Sequence, residues 1–207
     1  MKNIFLFSIL ITIISACETK PKNFKSLEEQ IVYIDNAKNG LLKKKECDYN
    51  IVELSYKPIE QLILQELGDK IYNSALVDSL KKIYNENCYF LVKIRPQKGK
   101  TLYTPIETPQ QYNDIIQTFS FHFVDYTKAI VGNEEIKPKA VFFDQLFGMS
   151  NELNCMIVFK RTDLTSNKLF TIVISEFGLK TGKCSFEFTN KDISECPILL
   201  LSNTVKK

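Results

Sequence analysis

The spacing of apolar residues changes at Asn85-Glu86-Asn87, and that change constrains the fold more than any other feature of the chain. Ahead of it the spacing is mostly helical. Ile59, Leu62, Ile63 and Leu67 form one stripe, begun by Pro58 in the first turn and ended by Gly68. Tyr72, Leu76, Leu80 and Ile83 form a second. Ser26-Leu27-Glu28-Glu29 fits a capping box opening a shorter helix, with Leu27, Ile31 and Ile34 on one face and Gly40 as its stop. One early segment alternates instead: Val52, Leu54 and Tyr56 against Ile51, Glu53 and Ser55, a strand paired with Leu41 to Lys45.

Behind the switch the period is two. Cys88, Phe90, Val92 and Ile94 point one way, and Tyr89, Leu91, Lys93 and Arg95 the other. Tyr112 to Thr118 reads as a helical turn or two. Phe119, Phe121 and Phe123 then alternate with Ser120, His122 and Val124 as a strand would. Lys139 to Asp144 is a further apolar segment. Leu153 to Lys160, Lys168 to Glu176 and Lys183 to Thr189 follow as three successive strands, the last two joined by the turn-rich Phe177-Gly178-Leu179-Lys180-Thr181-Gly182. Ile198 to Leu201 adds an edge. The expectation is an α+β domain: an antiparallel sheet from the second half, with helices from the first half on one face. Leu153 to Phe159 is apolar on both sides, so packing, a partner or a ligand cavity must cover its second face.

The N-terminus carries an address. Lys2 supplies positive charge, Ile4 to Ile14 an eleven-residue apolar run, and Ser15-Ala16 small residues before Cys17. Eleven helical residues reach only about 16 Å, short of a hydrocarbon core roughly 30 Å thick. Ile14-Ser15-Ala16-Cys17 resembles the lipobox of bacterial lipoproteins. The resemblance implies cleavage after Ala16, a diacylglyceryl group on the Cys17 thiol and acylation of the new amine. It divides the chain into a signal peptide (1–16), a lipidated cysteine and tether (17–25, containing Pro21), and one domain (26–207). It places the protein on the cell envelope, at the outer membrane, with the membrane as a partner through its lipid. The order Asn39-Gly40-Leu41-Leu42-Lys43, then Ser55-Tyr56-Lys57-Pro58, then Gln65-Glu66-Leu67 also resembles a group of uncharacterised bacterial lipoproteins, which brings no activity with it.

Charge narrows the partners. Without Lys2 the chain has 26 Lys and Arg against 24 Asp and Glu, a net charge near +2. The longest basic run is Lys43-Lys44-Lys45, and with short pairs such as Lys206-Lys207 it is too little for a nucleic-acid footprint. Arg95 and Arg161 are the only arginines, so the usual means of bidentate phosphate capture is scarce.

Besides Cys17 there are Cys47, Cys88, Cys155, Cys184 and Cys196. Export would place them where disulfides form, and their odd number leaves at least one unpaired within the chain. Cys155 lies in an apolar run and reads as a buried thiol. Cys184 and Cys196 flank the polar stretch Thr189 to Glu195 and are the first candidates for a bridge, ahead of Cys47 with Cys88. No CxxC pair occurs, which speaks against a zinc knuckle or a thioredoxin-like centre.

Catalytic patterns are sparse. His122 is the single histidine. A strand would put it beside Ser120 but turn Asp125 away, so a Ser–His–Asp relay is not supplied locally. Gly148-Met149-Ser150 lacks the second glycine of a nucleophile elbow, and Glu28-Glu29 and Glu134-Glu135 read as solvated pairs. No catalytic residue, metal ligand or cofactor is therefore assigned. Tyr103, Tyr112, Tyr126 and Phe142-Phe143 are candidates for an exposed aromatic surface, against the alternative that they pack the core. The expectation is a lipid-anchored, non-enzymatic domain binding a protein partner or supporting an envelope assembly. A small-ligand binder with a cavity on the sheet comes second, and a hydrolase third.

Overall fold

Nearly every alternating segment becomes a strand, and the strands assemble into two sheets rather than one. The structure is a computed structural model and describes residues 22–68, 73–102, 104–143 and 151–201. The leader through Cys17, Tyr72, Tyr103 and Gly148 to Ser150 lie outside the described residues. In chain order the elements are β1 (Asn23–Phe24), α1 (Leu27–Asp35), β2 (Leu42–Glu46), β3 (Asn50–Lys57), α2 (Ile59–Leu67), α3 (Ser74–Tyr84) and β4 (Asn87–Pro96). There follow α4 (Pro109–Gln117), β5 (Thr127–Val131), β6 (Glu134–Ile136), β7 (Ala140–Phe143), β8 (Leu153–Lys160) and α5 (Arg161–Leu164). The chain closes with β9 (Leu169–Ile174), β10 (Cys184–Thr189), α6 (Asn190–Ser194) and β11 (Ile198–Leu199). Among the described residues no helix is long and apolar enough to cross a membrane.

The fold is α+β with antiparallel sheets. A five-stranded sheet runs β2-β3-β4-β8-β7 and a four-stranded sheet β10-β9-β5-β6, while β1 and β11 form a short parallel pair. The early strand pair takes the expected place: Leu42 lies opposite Ser55 and Lys45 opposite Val52. One face of β8, with Leu153, Cys155, Ile157 and Phe159, is closed by packing between the sheets; the other, with Met156 and Val158, is covered only in part. The two sheets bury a common core, with Val52, Phe90, Val92 and Ile157 from one meeting Ile172, Phe170, Phe186 and Phe188 from the other. Phe90 sits at its centre. Its ring centroid is 5.9 Å from those of Tyr56 and Phe170, 6.3 Å from Phe159 and 5.2 Å from Phe188, the tilted and edge-on contacts aromatic quadrupoles favour.

Helices cover part of the outer face of the five-stranded sheet. Leu62 and Ile63 of α2 and Val77 and Leu80 of α3 share a second apolar cluster with Tyr89 and Val158. Ser26 caps α1 as expected, accepting from the Glu29 amide at 3.2 Å, but the Glu29 carboxylate reaches back to Lys25 N (3.0 Å). In α1 the fully buried side chain besides Ile34 is polar: Gln30, whose amide meets Pro197 O and the Gln61 side chain.

Two expectations need correction. In α3 the buried stripe is Val77 and Leu80, while Leu76 and Ile83 are 45% and 61% exposed. Asn73 caps the helix by accepting from Leu76 N, which fixes the phase about one residue from that read in the sequence. The second concerns Phe119 to Val124, which is no strand. The helix α4, closed at its start by a full Thr108–Gln111 capping box, continues through a π-helical turn over Thr118–His122. Phe119 and Phe123 are buried four residues apart, and Phe121 between them is 75% exposed. Residues at i and i+4 share a face in both helix and strand, so Phe119 and Phe123 alone cannot decide; Phe121 does. Phe119 stacks on Phe123 (4.6 Å) and Phe143 (5.1 Å), and Phe177 meets both Phe119 and Phe123 edge-on. The Phe177 loop is held close to α4. At Gly178, with φ +111°, an added Cβ would lie 2.9 Å from Ile115, so only glycine suits this point.

Candidate binding site

The outer face of the five-stranded sheet is not fully roofed, and the strand register says what lies open. One cross-strand row is Ser55, Leu91, Met156, Phe142; its neighbour is Lys57, Tyr89, Val158, Ala140. The helices α2 and α3 settle on the Tyr89–Val158 end. The Leu91–Met156–Phe142 row beside it forms the floor of a groove.

Three depressions join along this groove. The widest, about 600 Å³, lies between α2 and β7 and includes Leu62, Tyr84, Phe142, Met156 and Val158. The second, about 410 Å³, shares Gln65, Phe142 and Met156 with it and reaches Lys57, Leu91 and Lys93. The third, about 250 Å³, shares Lys57, Leu91 and Lys93 and continues towards α1 at Ile31 and Asp35. Volumes of this order suit a small ligand.

The groove is apolar along its floor and carries charges of both signs along its rim: Lys57, Lys93 and Lys139, with Asp35, Glu53 and Glu66. Lys139 Nζ leans on Asn87 Oδ1 (3.4 Å) at the wide end, and Lys93 Nζ stands 3.9 Å from Glu152. Lys57 is different. It lies where two depressions meet, and no described carboxylate forms an ion pair with it. Burial pulls its ammonium below the ordinary lysine value. Two rows along the strand, burial pushes the Glu53 carboxyl up, but hydrogen bonds from Lys44 and Arg95 hold it below the ordinary glutamate value overall. Glu53 Oε1 receives Lys44 Nζ at 2.8 Å and Arg95 at 2.9 Å, so its charge is committed elsewhere. At the wide end Tyr84 Oη donates to Glu66 (2.5 Å), and burial together with Glu66 pushes the phenol up to about 12.

No protein-family model matches the chain, and no curated protein matches its sequence. The site therefore stands on its own geometry.

The residues singled out in the sequence fall as follows. His122 is exposed at the end of the π-turn, and Asp125 pairs with Lys137 (3.3 Å). Of the aromatic candidates, Phe143 and Tyr126 pack against the core and Phe142, 57% exposed, ends the row that floors the groove. The Glu134-Glu135 pair sits on the short strand β6, where Glu135 meets Lys128. Cys184 and Cys196, the first candidates for a bridge, are not joined in the structure; α6 lies between them, with Cys184 opening β10 and the Cys196 thiol turning to Pro197 O. Cys155 is buried, and burial pushes its thiol up to about 12. Lys57 was missed in the sequence, where it reads as the polar end of a strand before Pro58. Alternation in β3 does place it on the face opposite Tyr56, and that was the available signal.

Proposed function

We propose that this chain is a lipid-anchored, non-enzymatic binding domain of the bacterial cell envelope, tethered through Cys17. Its ligand is an amphiphile with a carboxylate or phosphate head and an apolar chain. The observation that carries the reading is Lys57, a desolvated ammonium without an ion-pair partner among the described residues, set in a groove floored by Leu91, Met156 and Phe142. A bound anion would supply the missing countercharge, and the floor would take the chain. A peptide gains less here. The groove lies on a sheet face, where side chains rather than free strand edges are presented, and an extended backbone finds few partners. A protein partner is the second reading, favoured by the exposure of Phe142 at the end of the groove floor.

Native mass spectrometry on residues 18–207, exported by an ordinary secretory signal, tests the binding. Added mass of a lipid-like anion supports the groove reading. A bare mass that persists after incubation with palmitate turns the case to a protein partner. The address is tested separately: Cys17→Ser should abolish lipidation and release the chain from the membrane, and a chain that stays bound and processed as before contradicts it.

A further inference from the structure

The thiols Cys47 and Cys184 are 137 positions apart in sequence yet adjacent in the fold. Cys47 follows the last residue of β2, an edge of the five-stranded sheet; Cys184 opens β10, an edge of the four-stranded sheet. Those two edges run beside one another. Lys45 Nζ donates to Lys183 O at 2.7 Å and Thr181 O at 3.4 Å, and Asn50 Nδ2 donates to Leu179 O at 3.4 Å. Cys47 therefore lies between two residues of its own turn that grip the 179–183 segment. The turn itself is pinned by Cys47 N donating to Asn50 O at 2.9 Å and by Gln97 Nε2 donating to Cys47 O at 2.6 Å.

The facing loop is held as firmly. The Glu176 carboxylate accepts from the amides of Gly178 (2.8 Å), Lys180 (2.9 Å) and Gly182 and from the Thr181 hydroxyl (3.3 Å). That fixes the approach to Cys184, whose side chain is fully buried with the half-buried Cys47 as a neighbour; Cys184 Sγ lies 3.8 Å from Thr181 O and 3.7 Å from Gly182 O, and Cys47 Sγ 4.0 Å from Lys45 O.

We propose that Cys47 and Cys184 form an intramolecular disulfide that ties the edges of the two sheets together. The inference rests on the exported address for its oxidant, which is a disulfide of the extracytoplasmic compartment. The step balances by thiol–disulfide exchange. The more accessible Cys47 thiolate attacks R–S–S–R, releasing one RS⁻ and leaving Cys47 in a mixed disulfide. The Cys184 sulfur then attacks Cys47 Sγ and releases the second RS⁻. The two protons lost by the cysteines pass to the released thiolates, and the two electrons reduce the oxidant. Burial and the neighbouring Cys47 push the Cys184 thiol up to about 12. A thiol of that kind is a poor leaving group, so the bridge, once made, resists reduction in the folded chain. Cys88, Cys155 and Cys196 stay as thiols.

The test is a non-reducing peptide map of the mature chain, extracted in mild detergent and incubated with oxidised glutathione. Lys191 separates Cys184 from Cys196, so trypsin puts them on different peptides. The expected result is a covalent link between the peptides holding Cys47 and Cys184, a loss of two hydrogens in mass, and a melting temperature higher by roughly 5–15 °C. Cys47→Ser, at a half-buried position, should lose the link and the thermal gain together. A Cys184–Cys196 link overturns the proposal, as does glutathione left unresolved on Cys47 or no link at all. Because the oxidant is added, the result does not depend on the address. A wrong address shows instead as an unlipidated Cys17 in a chain that still cross-links.

Discussion

The strands β3, β4 and β8 present two faces that differ in kind. On the inner face Phe90, Phe159, Phe170 and Phe188 interlock across the sheets. On the outer face the same strands carry Leu91, Met156, Lys57 and Lys93, with helices over only one end. The closed face carries the stability. The open face keeps an apolar floor and an unneutralised ammonium, neither of which helps the fold. A face that fails to optimise stability is where a binding role is sought.

Four substitutions sharpen that contrast, beginning with the largest effect. Phe90→Ala removes the ring on which four others converge and should cost about 3–5 kcal/mol in urea denaturation. A loss below about 1 kcal/mol would mean the inner face is not the stabilising one. Glu53→Gln deletes the carboxylate between Lys44 and Arg95 and should cost about 1 kcal/mol at pH 7, since both cations keep access to water. Its pH dependence has a definite sign. The folded carboxyl lies below its ordinary value of 4.5, so its contribution is complete above that value and is lost as pH falls through the folded value. Stability measured from pH 6 down to pH 3 should therefore fall less steeply in Glu53→Gln than in the parent.

Leu91→Ala trims a side chain on the open floor and should cost less than about 1 kcal/mol, well under the inner-face value, because water and not a cavity takes its place. Lys57→Met should do the reverse and raise stability by a few tenths of a kcal/mol at pH 7, about as far as surface changes usually reach. Burial lowers the folded ammonium value beneath 10.5, so the unfolded chain holds the proton more readily than the folded one. The penalty is present at neutral pH and relieved as pH rises from the folded value past 10.5, so the advantage of Lys57→Met should shrink in alkaline solution. An advantage independent of pH would show that the ammonium is not desolvated.

Much of the inner face was legible in the sequence, and little of the outer one. Cys88, Phe90, Val92 and Ile94 alternate without interruption, and so do Cys184, Phe186 and Phe188; a half-buried strand has no other way to be written. The pairing of β2 with β3 followed from the same pattern. Where the pattern is compatible with two periods, as at Phe119, Phe121 and Phe123, reading it as a strand failed because the exposure of Phe121 is a tertiary fact. The hairpin of β5 and β6 was passed over, although Val131-Gly132-Asn133-Glu134 carries a tight-turn signal. The groove was invisible for a different reason. It depends on which end of the sheet α2 and α3 cover, and the one-residue difference in the buried stripe of α3 shows how weakly sequence alone fixes that choice. The nearness of Cys47 to Cys184 is likewise a product of two sheet edges meeting, which no local spacing records.

The most direct test of the central claim is a calorimetric titration of residues 18–207 with palmitate and, separately, with hexadecanol, in the parent and in Lys57→Met. The groove account predicts that the parent binds palmitate more tightly than the alcohol. Lys57→Met should weaken palmitate by at least about tenfold while leaving the alcohol unchanged. Equal affinities for acid and alcohol, or palmitate binding indifferent to Lys57→Met, would contradict it.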